Sequence, residues 1–356
     1  MMNERYVNKR ISALDAQRVA HEIAFGPIIF QVSRLMVKFG IFGLLMKTDE
    51  GLTQKEVSVK TGLSEYAAQV LLESSLTIGT VLYNDGKYRI SKIGWFLEND
   101  PMVKSNMNFN QDVNYKGMFH LEESLLKGKP EGLKELGNWS TLYEGLASMD
   151  PKVRESWFGF DHYYSDNSFD EVLPVIFASR PSSVLDIGGN TGIWALRCVG
   201  YDPGVQVTVM DLPQQIGLMD KNIYGKPGAE RIHGIACDIL DSSSKIPEGF
   251  DIIWMSQFLD CFPEDKVSDI LAKVVDGISR DSDVYILETI WDRQKYDTAS
   301  FDLTQTSVYF TAIANGNSKM FFSDDLFAMI RKSGLTISSV RDGIGLGHSL
   351  IHCVLK

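Results

Sequence analysis

The chemistry of this chain is concentrated where Ser183-Val184-Leu185-Asp186-Ile187 runs into Gly188-Gly189-Asn190-Thr191-Gly192. The apolar run reads as a buried strand and the rest as a glycine-rich turn. Glycine lets the backbone approach a ligand where any Cβ would collide, and asparagine is the non-glycine type that most readily turns left-handed. A nucleotide fingerprint is spaced G-x-G-x-x-G, whereas this turn reads D-x-G-G-x-x-G and starts with an anion. Asp186 opposes a pyrophosphate and suits a ligand bearing an amino group. Two more carboxylates follow at strand ends. Val207-Thr208-Val209-Met210-Asp211 ends 19 residues beyond Gly192, where a carboxylate can take a ribose diol. Ile232-His233-Gly234-Ile235-Ala236-Cys237-Asp238 then offers Asp238 to an adenine amino group. Each aspartate could also be a helix N-cap, but three of them beside one glycine turn line the crevice where open α/β sheets bind ligands.

Those carboxylates need a mostly parallel sheet to hold them. From about Pro181 strands alternate with helices, which predicts an α/β domain over 181–356. Residues 101–180 read as helical, punctuated by Pro101, Pro130 and Pro151. Residues 1–100 form a separate module. Thr53 and Glu56 make a capping box, Gly62 ends that helix, Ser64 caps a second, and Asp85-Gly86 tips a hairpin. Helix, turn, helix and hairpin predict a winged helix. Its second helix, Ser64 to Ile78, holds Glu65 and Glu73 and no lysine or arginine, a poor match to DNA. Upstream, residues 11–46 carry a helical apolar stripe that becomes dense from Phe39 to Met46, the mark of core or of a subunit interface.

The chain has 356 residues, 44% hydrophobic and 23% charged, with net charge −11. That excludes disorder and fibrous repeats and discourages nucleic acid. Residues 1–100 hold 12 basic and 11 acidic groups and the rest hold 23 and 35, so the excess acidity belongs to the part with the strand-end carboxylates. Cys198, Cys237, Cys261 and Cys353 fit no metal or redox spacing and read as reduced thiols. No metal site is expected. The start, Met1 to Tyr6, has no signal-peptide pattern, and the apolar stretch Gly26–Met46 carries Arg34 and Lys38, which argues against a membrane span. A soluble, cytoplasmic protein is expected.

Asp186-Ile187-Gly188-Gly189-Asn190-Thr191-Gly192, Met210-Asp211-Leu212-Pro213 and Cys237-Asp238-Ile239-Leu240 resemble the three cofactor motifs of class I S-adenosylmethionine-dependent O-methyltransferases, in the plant caffeate-type and bacterial polyketide-tailoring subgroup. The resemblance extends to Asn110-Gln111-Asp112, Met118-Phe119-His120-Leu121 and the run Phe160 to Ser168, and covers roughly residues 20–356. It implies a Rossmann-like, doubly wound sheet of the seven-stranded methyltransferase type after an all-α winged-helix dimerisation domain. It also implies a homodimer joined through that domain, with S-adenosyl-L-methionine as cofactor. Asp186, Gly188, Gly189, Asn190 and Gly192 would form the cofactor turn. Asp211 and Leu212 would hold ribose and adenine, Asp238 and Ile239 the adenine, and Ser256 stands where the plant enzymes have a lysine. A small-molecule acceptor would meet Asn110, Phe119, His162, Tyr163, Tyr164 and Asn167.

The resemblance breaks at the catalytic base. Phe258-Leu259-Asp260-Cys261-Phe262 stands where the family has Leu-His-Asp-Trp, so Asp260 takes the histidine position. The first supporting glutamate is kept as Glu288 and the second aligns with Met320. Histidine suits deprotonation near neutral pH, and an aspartate does so only if burial raises its pKa. Asp260 with Glu288 can deprotonate a hydroxyl, or His162 or His348 can supply the base. A more reactive oxygen, nitrogen or carbon nucleophile needs little help. Non-methylating chemistry, such as decarboxylation or hydroxylation, and a winged-helix regulator are the other readings.

Overall fold

The computed structural model describes Tyr6 and residues 11–356, apart from the side chains of 164–166; the start read for a signal otherwise lies outside the described residues. The chain divides into two compact units between Asn110 and Gln111. The parting falls beyond residue 100 because the helix Pro101–Phe109, capped where Asp100 Oδ1 accepts from Met102 N (2.8 Å) and Val103 N (3.2 Å), goes with the first unit. Residues 111–180 go with the sheet instead of standing apart.

In the first unit the apolar stripe breaks into Ala13–Ala24, Gly26–Lys38 and Ile41–Met46. Pro27 suits a helix start and Gly40 takes φ 69° between the second and third. The stripe has two fates: Met36, Ile41, Phe42 and Leu45 are core, while Ile23, Phe25, Ile28 and Phe39 are exposed. Thr53 and Glu56 close their capping box on Gln54–Thr61, and Ser64 caps Glu65–Ile78. Strands β1 (Val81–Asn84) and β2 (Lys87–Ile90) pair across Asp85-Gly86, both at positive φ, so this unit is helical apart from the hairpin.

The second unit carries β3 (Ser183–Ile187), β4 (Gln206–Asp211), β5 (Ile232–Ala236), β6 (Ile252–Ser256), β7 (Asp283–Thr289), β8 (Leu335–Ile344) and β9 (His348–Leu355). They form one sheet in the order β5-β4-β3-β6-β7-β9-β8, in which β9 is antiparallel to both its neighbours. Val184, Leu185, Ile252 and Ile253 are buried, as parallel strands covered on both faces require. One core layer stacks Trp194 on Trp254 with ring centroids 4.4 Å apart; the other packs Glu264–Gly277 and Ser323–Ser333 on the opposite face. The strand order reverses between β3 and β6, so the connections leaving those strands diverge and open a crevice at their carboxyl ends.

Asp251, just before β6, ties those two strands at their other end. Its Oδ2 accepts from Ser182 N (2.7 Å), Ser182 Oγ (2.7 Å) and Ser183 N (3.0 Å), and these bonds hold its carboxyl below the usual range. A lowered carboxyl pKa stabilises the fold above the unfolded value and ceases to do so as pH falls. Asp251→Ala is therefore expected to cost about 1–2 kcal/mol near pH 7 by urea denaturation, with the difference shrinking in acid. An unchanged midpoint would show that the clamp carries no load.

Candidate active site

The crevice is a cavity of about 840 Å³ lined by residues of the second unit. Asp186, the fourth residue of β3, is 2% exposed; its Oδ2 lies beneath Gly189 and accepts no hydrogen bond. Burial first, and the nearby Asp211 second, push its carboxyl well above the usual range. Gly188 has φ 77°, and a Cβ there would overlap the Phe258 ring. Asn190 takes φ 50° and its N–H donates to Asp211 Oδ2 at 2.9 Å, while Leu212 N donates to Oδ1 at 2.7 Å. Asp211 thus locks the glycine turn onto β4, and burial raises its pKa. Asp238 lies two residues past the end of β5 and accepts from Leu240 N at 2.9 Å; it, Leu212, Ile239 and Ser256 line the cavity. Gly192 does not. It begins the helix Ile193–Tyr201, and a Cβ there would meet Met219.

Asp260 comes from the connection after β6 and Glu288 from the neighbouring strand β7. Asp260 sits in the one-turn helix Leu259–Cys261 after β6, lines the cavity and is 3% exposed. Glu288 on β7 is fully buried; its Oε1 accepts from Phe258 N (3.1 Å) and Leu259 N (2.8 Å). From the other side Asn315 donates to Cys261 O at 2.6 Å. Asn315 closes a π-helical turn, Phe310–Ala314, and no feature of the sequence marked it. The turn bearing Asp260 is therefore held from two elements. Desolvation, and then the charge of Asp161, raise the Asp260 carboxyl to about 7. Burial and then the charge of Asp260 raise the Glu288 carboxyl, against the lowering effect of the backbone N–H groups it accepts from.

The expected acceptor contacts mostly fall elsewhere. His162 lines the cavity and stacks on Phe158 with centroids 5.5 Å apart. Phe119 is 85% exposed, and neither it nor Tyr163 nor Asn167 lines the cavity; Asn167 Nδ2 donates to Tyr163 O at 2.6 Å. A helix shows a cavity one face, and on Pro151–Ile176 that face carries Trp157, Phe160, Asp161, His162 and Phe169. The side chain of Tyr164 lies outside the described residues. Asn110 belongs to the first unit, where its carboxamide donates to Asn106 O at 2.8 Å. His348 is fully buried and does not line the cavity. Tyr143, Tyr309, Phe310 and Met320 do, contributed by segments whose apolar spacing reads equally as core.

Residues 147–331 match the model of the O-methyltransferase domain, which covers more than half of the chain. The chain belongs to the O-methyltransferase domain family. Residues 17–88 match a Dimerisation2-like domain. The methyltransferase is 23% identical over 295 residues to the L-tyrosine C(3)-methyltransferase of Streptomyces lavendulae, covering 82% of this chain and 79% of that one. It is 24% identical over 326 residues to the demethylspheroidene O-methyltransferase of Rhodobacter capsulatus, covering 88% and 76%. Among solved structures the mitomycin 7-O-methyltransferase MmcR shares the fold with TM-score 0.71 at 20% identity, over 96% of this chain and 98% of that one.

The cofactor is S-adenosylmethionine, and the orphaned atoms of the cavity fit it. Asp186 Oδ2, Asn190 Oδ1 and Gln215 Oε1 are buried acceptors without donors on residues that line the cavity, each costing about 1–3 kcal/mol until a ligand supplies one. The cofactor carries an ammonium and an adenine amino group. Among the described residues no cluster can hold a metal ion, and no helix is long and apolar enough to cross a membrane.

Burial of Asp260 also bears on stability. Between about pH 4 and 7 the native chain keeps a proton that the unfolded chain releases, so this group's contribution falls as pH rises to about 7 and is level above it. Asp260→Asn is expected to melt higher than the parent at pH 8, with the gain vanishing towards pH 4. Equal melting at pH 8 would show that the carboxylate is not desolvated.

Proposed function

We propose that the protein transfers a methyl group from S-adenosylmethionine to a hydroxyl of a small, planar aromatic acceptor, with Asp260 as the general base. The observation that carries this reading is the buried Asp260 carboxyl, raised to about 7 in the cavity wall. A base is most effective when its pKa lies near the working pH, and desolvation brings this aspartate to the range that histidine has unaided. The bound cofactor supplies an electrophilic methyl carbon. Asp260 would take up the proton of the acceptor hydroxyl, and the methyl group would pass from the cofactor's sulfonium to that oxygen, its C–S bond breaking to leave S-adenosylhomocysteine. Glu288 is a positioning residue, fixing the Asp260 turn through Phe258 N and Leu259 N. Asp186 faces the ammonium of the methionine end, and Asp211 and Asp238 serve the ribose and adenine. Phe160, Tyr309 and Phe310 give the acceptor an aromatic wall.

A second reading, transfer to a ring carbon beside a phenol, draws on the likeness to the L-tyrosine C(3)-methyltransferase. A phenolate carries nucleophilic density on its ortho carbon, so the same base serves both outcomes.

With methyl-labelled cofactor and extract, mass spectrometry is expected to find a labelled aromatic product. An O-methyl product has lost its phenol ionisation, and a C-methyl product keeps it. Turnover should rise with pH to a plateau above about 7, and Asp260→Asn should lower it about 10²–10⁴-fold. Full activity in that variant would remove Asp260 as the base.

Residues 1–100 we read as the module that joins two copies, with 111–180 contributing to the acceptor side of the cavity. Ile23, Phe25 and Ile28 expose an apolar face of the kind a second copy covers. Light scattering should return twice the 39.9 kDa chain mass, and Phe25→Glu should shift the protein towards monomer. A monomeric parent would overturn the dimer.

A further inference from the structure

Gln257 is one of four non-glycine residues with positive φ among those described, at 46°. It follows Ser256 at the end of β6, is half-buried and lines the cavity. That conformation costs on the order of 1 kcal/mol, and strain of this kind gathers where a side chain must be aimed. The aim is set from β9. His348, fully buried, places Nε2 2.9 Å from Gln257 Oε1. Burial takes its imidazole down to about 4, so the ring is neutral near pH 7. The neutral ring has one N–H, for which Ile344 O also competes; Gln257 Oε1 can only accept, so it is the tautomer protonated at Nε2 that donates to it. Oε1 is thereby occupied, and the Gln257 amide nitrogen is the part of the side chain left for a ligand.

Among the described residues seven carboxylic acids line the cavity, Asp186, Asp260 and Asp161 among them, against one ammonium, Lys266. Ser256 stands where the resemblance places a lysine. A carboxylate bound here has few cations to meet, and a neutral amide N–H can serve it without a buried positive charge. We propose that Gln257 donates its amide N–H to the carboxylate at the methionine end of S-adenosylmethionine, and that His348 is the positioning residue that keeps the nitrogen, and not the oxygen, towards the ligand. This rests on the cofactor assignment above.

The test is calorimetric titration of the full chain with S-adenosylhomocysteine and, separately, with methylthioadenosine, which lacks the amino-acid end. Gln257→Leu is expected to weaken S-adenosylhomocysteine about 10-fold, and Gln257→Glu, which sets two carboxylates together, about 100-fold. Both should bind methylthioadenosine as the parent does. His348→Phe, which fills the space without an N–H, should weaken S-adenosylhomocysteine about 3- to 10-fold and spare methylthioadenosine; if it fails to fold, the Gln257 variants decide alone. Equal losses for both ligands would reduce Gln257 to a structural role, and no loss for either would turn its amide away from the cofactor; each outcome overturns the proposal. A parent that binds neither ligand refutes the cofactor assignment itself.

Discussion

Three carboxylic acids taken out of water at or just beyond the carboxyl edge of the sheet govern the rest of the site. Asp186, Asp260 and Glu288 are each 3% exposed or less, and an isolated charge in such surroundings is expensive. Each must be neutral, hydrogen-bonded or matched to a ligand charge. Glu288 turns one oxygen to two backbone N–H groups. Asp186 waits beneath the glycine turn without a donor. Asp260 lines the cavity, where burial and the charge of Asp161 raise its carboxyl to about 7. The two strands that frame the crevice are rigid because apolar layers cover both faces, so these groups cannot relax into solvent.

Rigidity alone does not aim side chains. On either side of the strand-order reversal a non-glycine residue is held left-handed, Asn190 after β3 and Gln257 after β6. Each is fixed by a partner from another strand: Asp211 of β4 accepts from Asn190 N, and His348 of β9 meets Gln257 Oε1. The sheet thus determines the turns as well as the strand ends. Farther out, Asn315 and Glu288 grip the Asp260 turn from two elements, so a carboxyl carried on a short connection is placed as firmly as one on a strand.

A histidine base takes its near-neutral pKa from its own chemistry. Here an aspartate reaches the same range because the wall around it is dry and Asp161 is near. The cost falls on the stability of the fold, a common exchange at active sites.

The fold class and the cofactor edge were legible in the sequence because their signals are local. Apolar runs of strand length, the glycine turn, Asn190 at its left-handed position, the capping box at Thr53 and the Asp85-Gly86 hairpin each depend on a few neighbouring residues. Position along a helix is not of that kind. Tyr163 and Asn167 lie on a helix that lines the cavity without lining it themselves, and Phe119 lies on a segment that does not line it, since which face of a helix meets the cavity depends on what packs against the others. Gly192 belongs to the motif but turns towards Met219, for the same reason. The sequence named Asp260 as the residue at the base position and stated the condition, burial, under which it could act. Tertiary structure alone decided that the condition is met, because a carboxyl pKa is set by the water and charges around it, and these come from Asp161, β7 and the turn at Asn315, which the chain brings together only when folded.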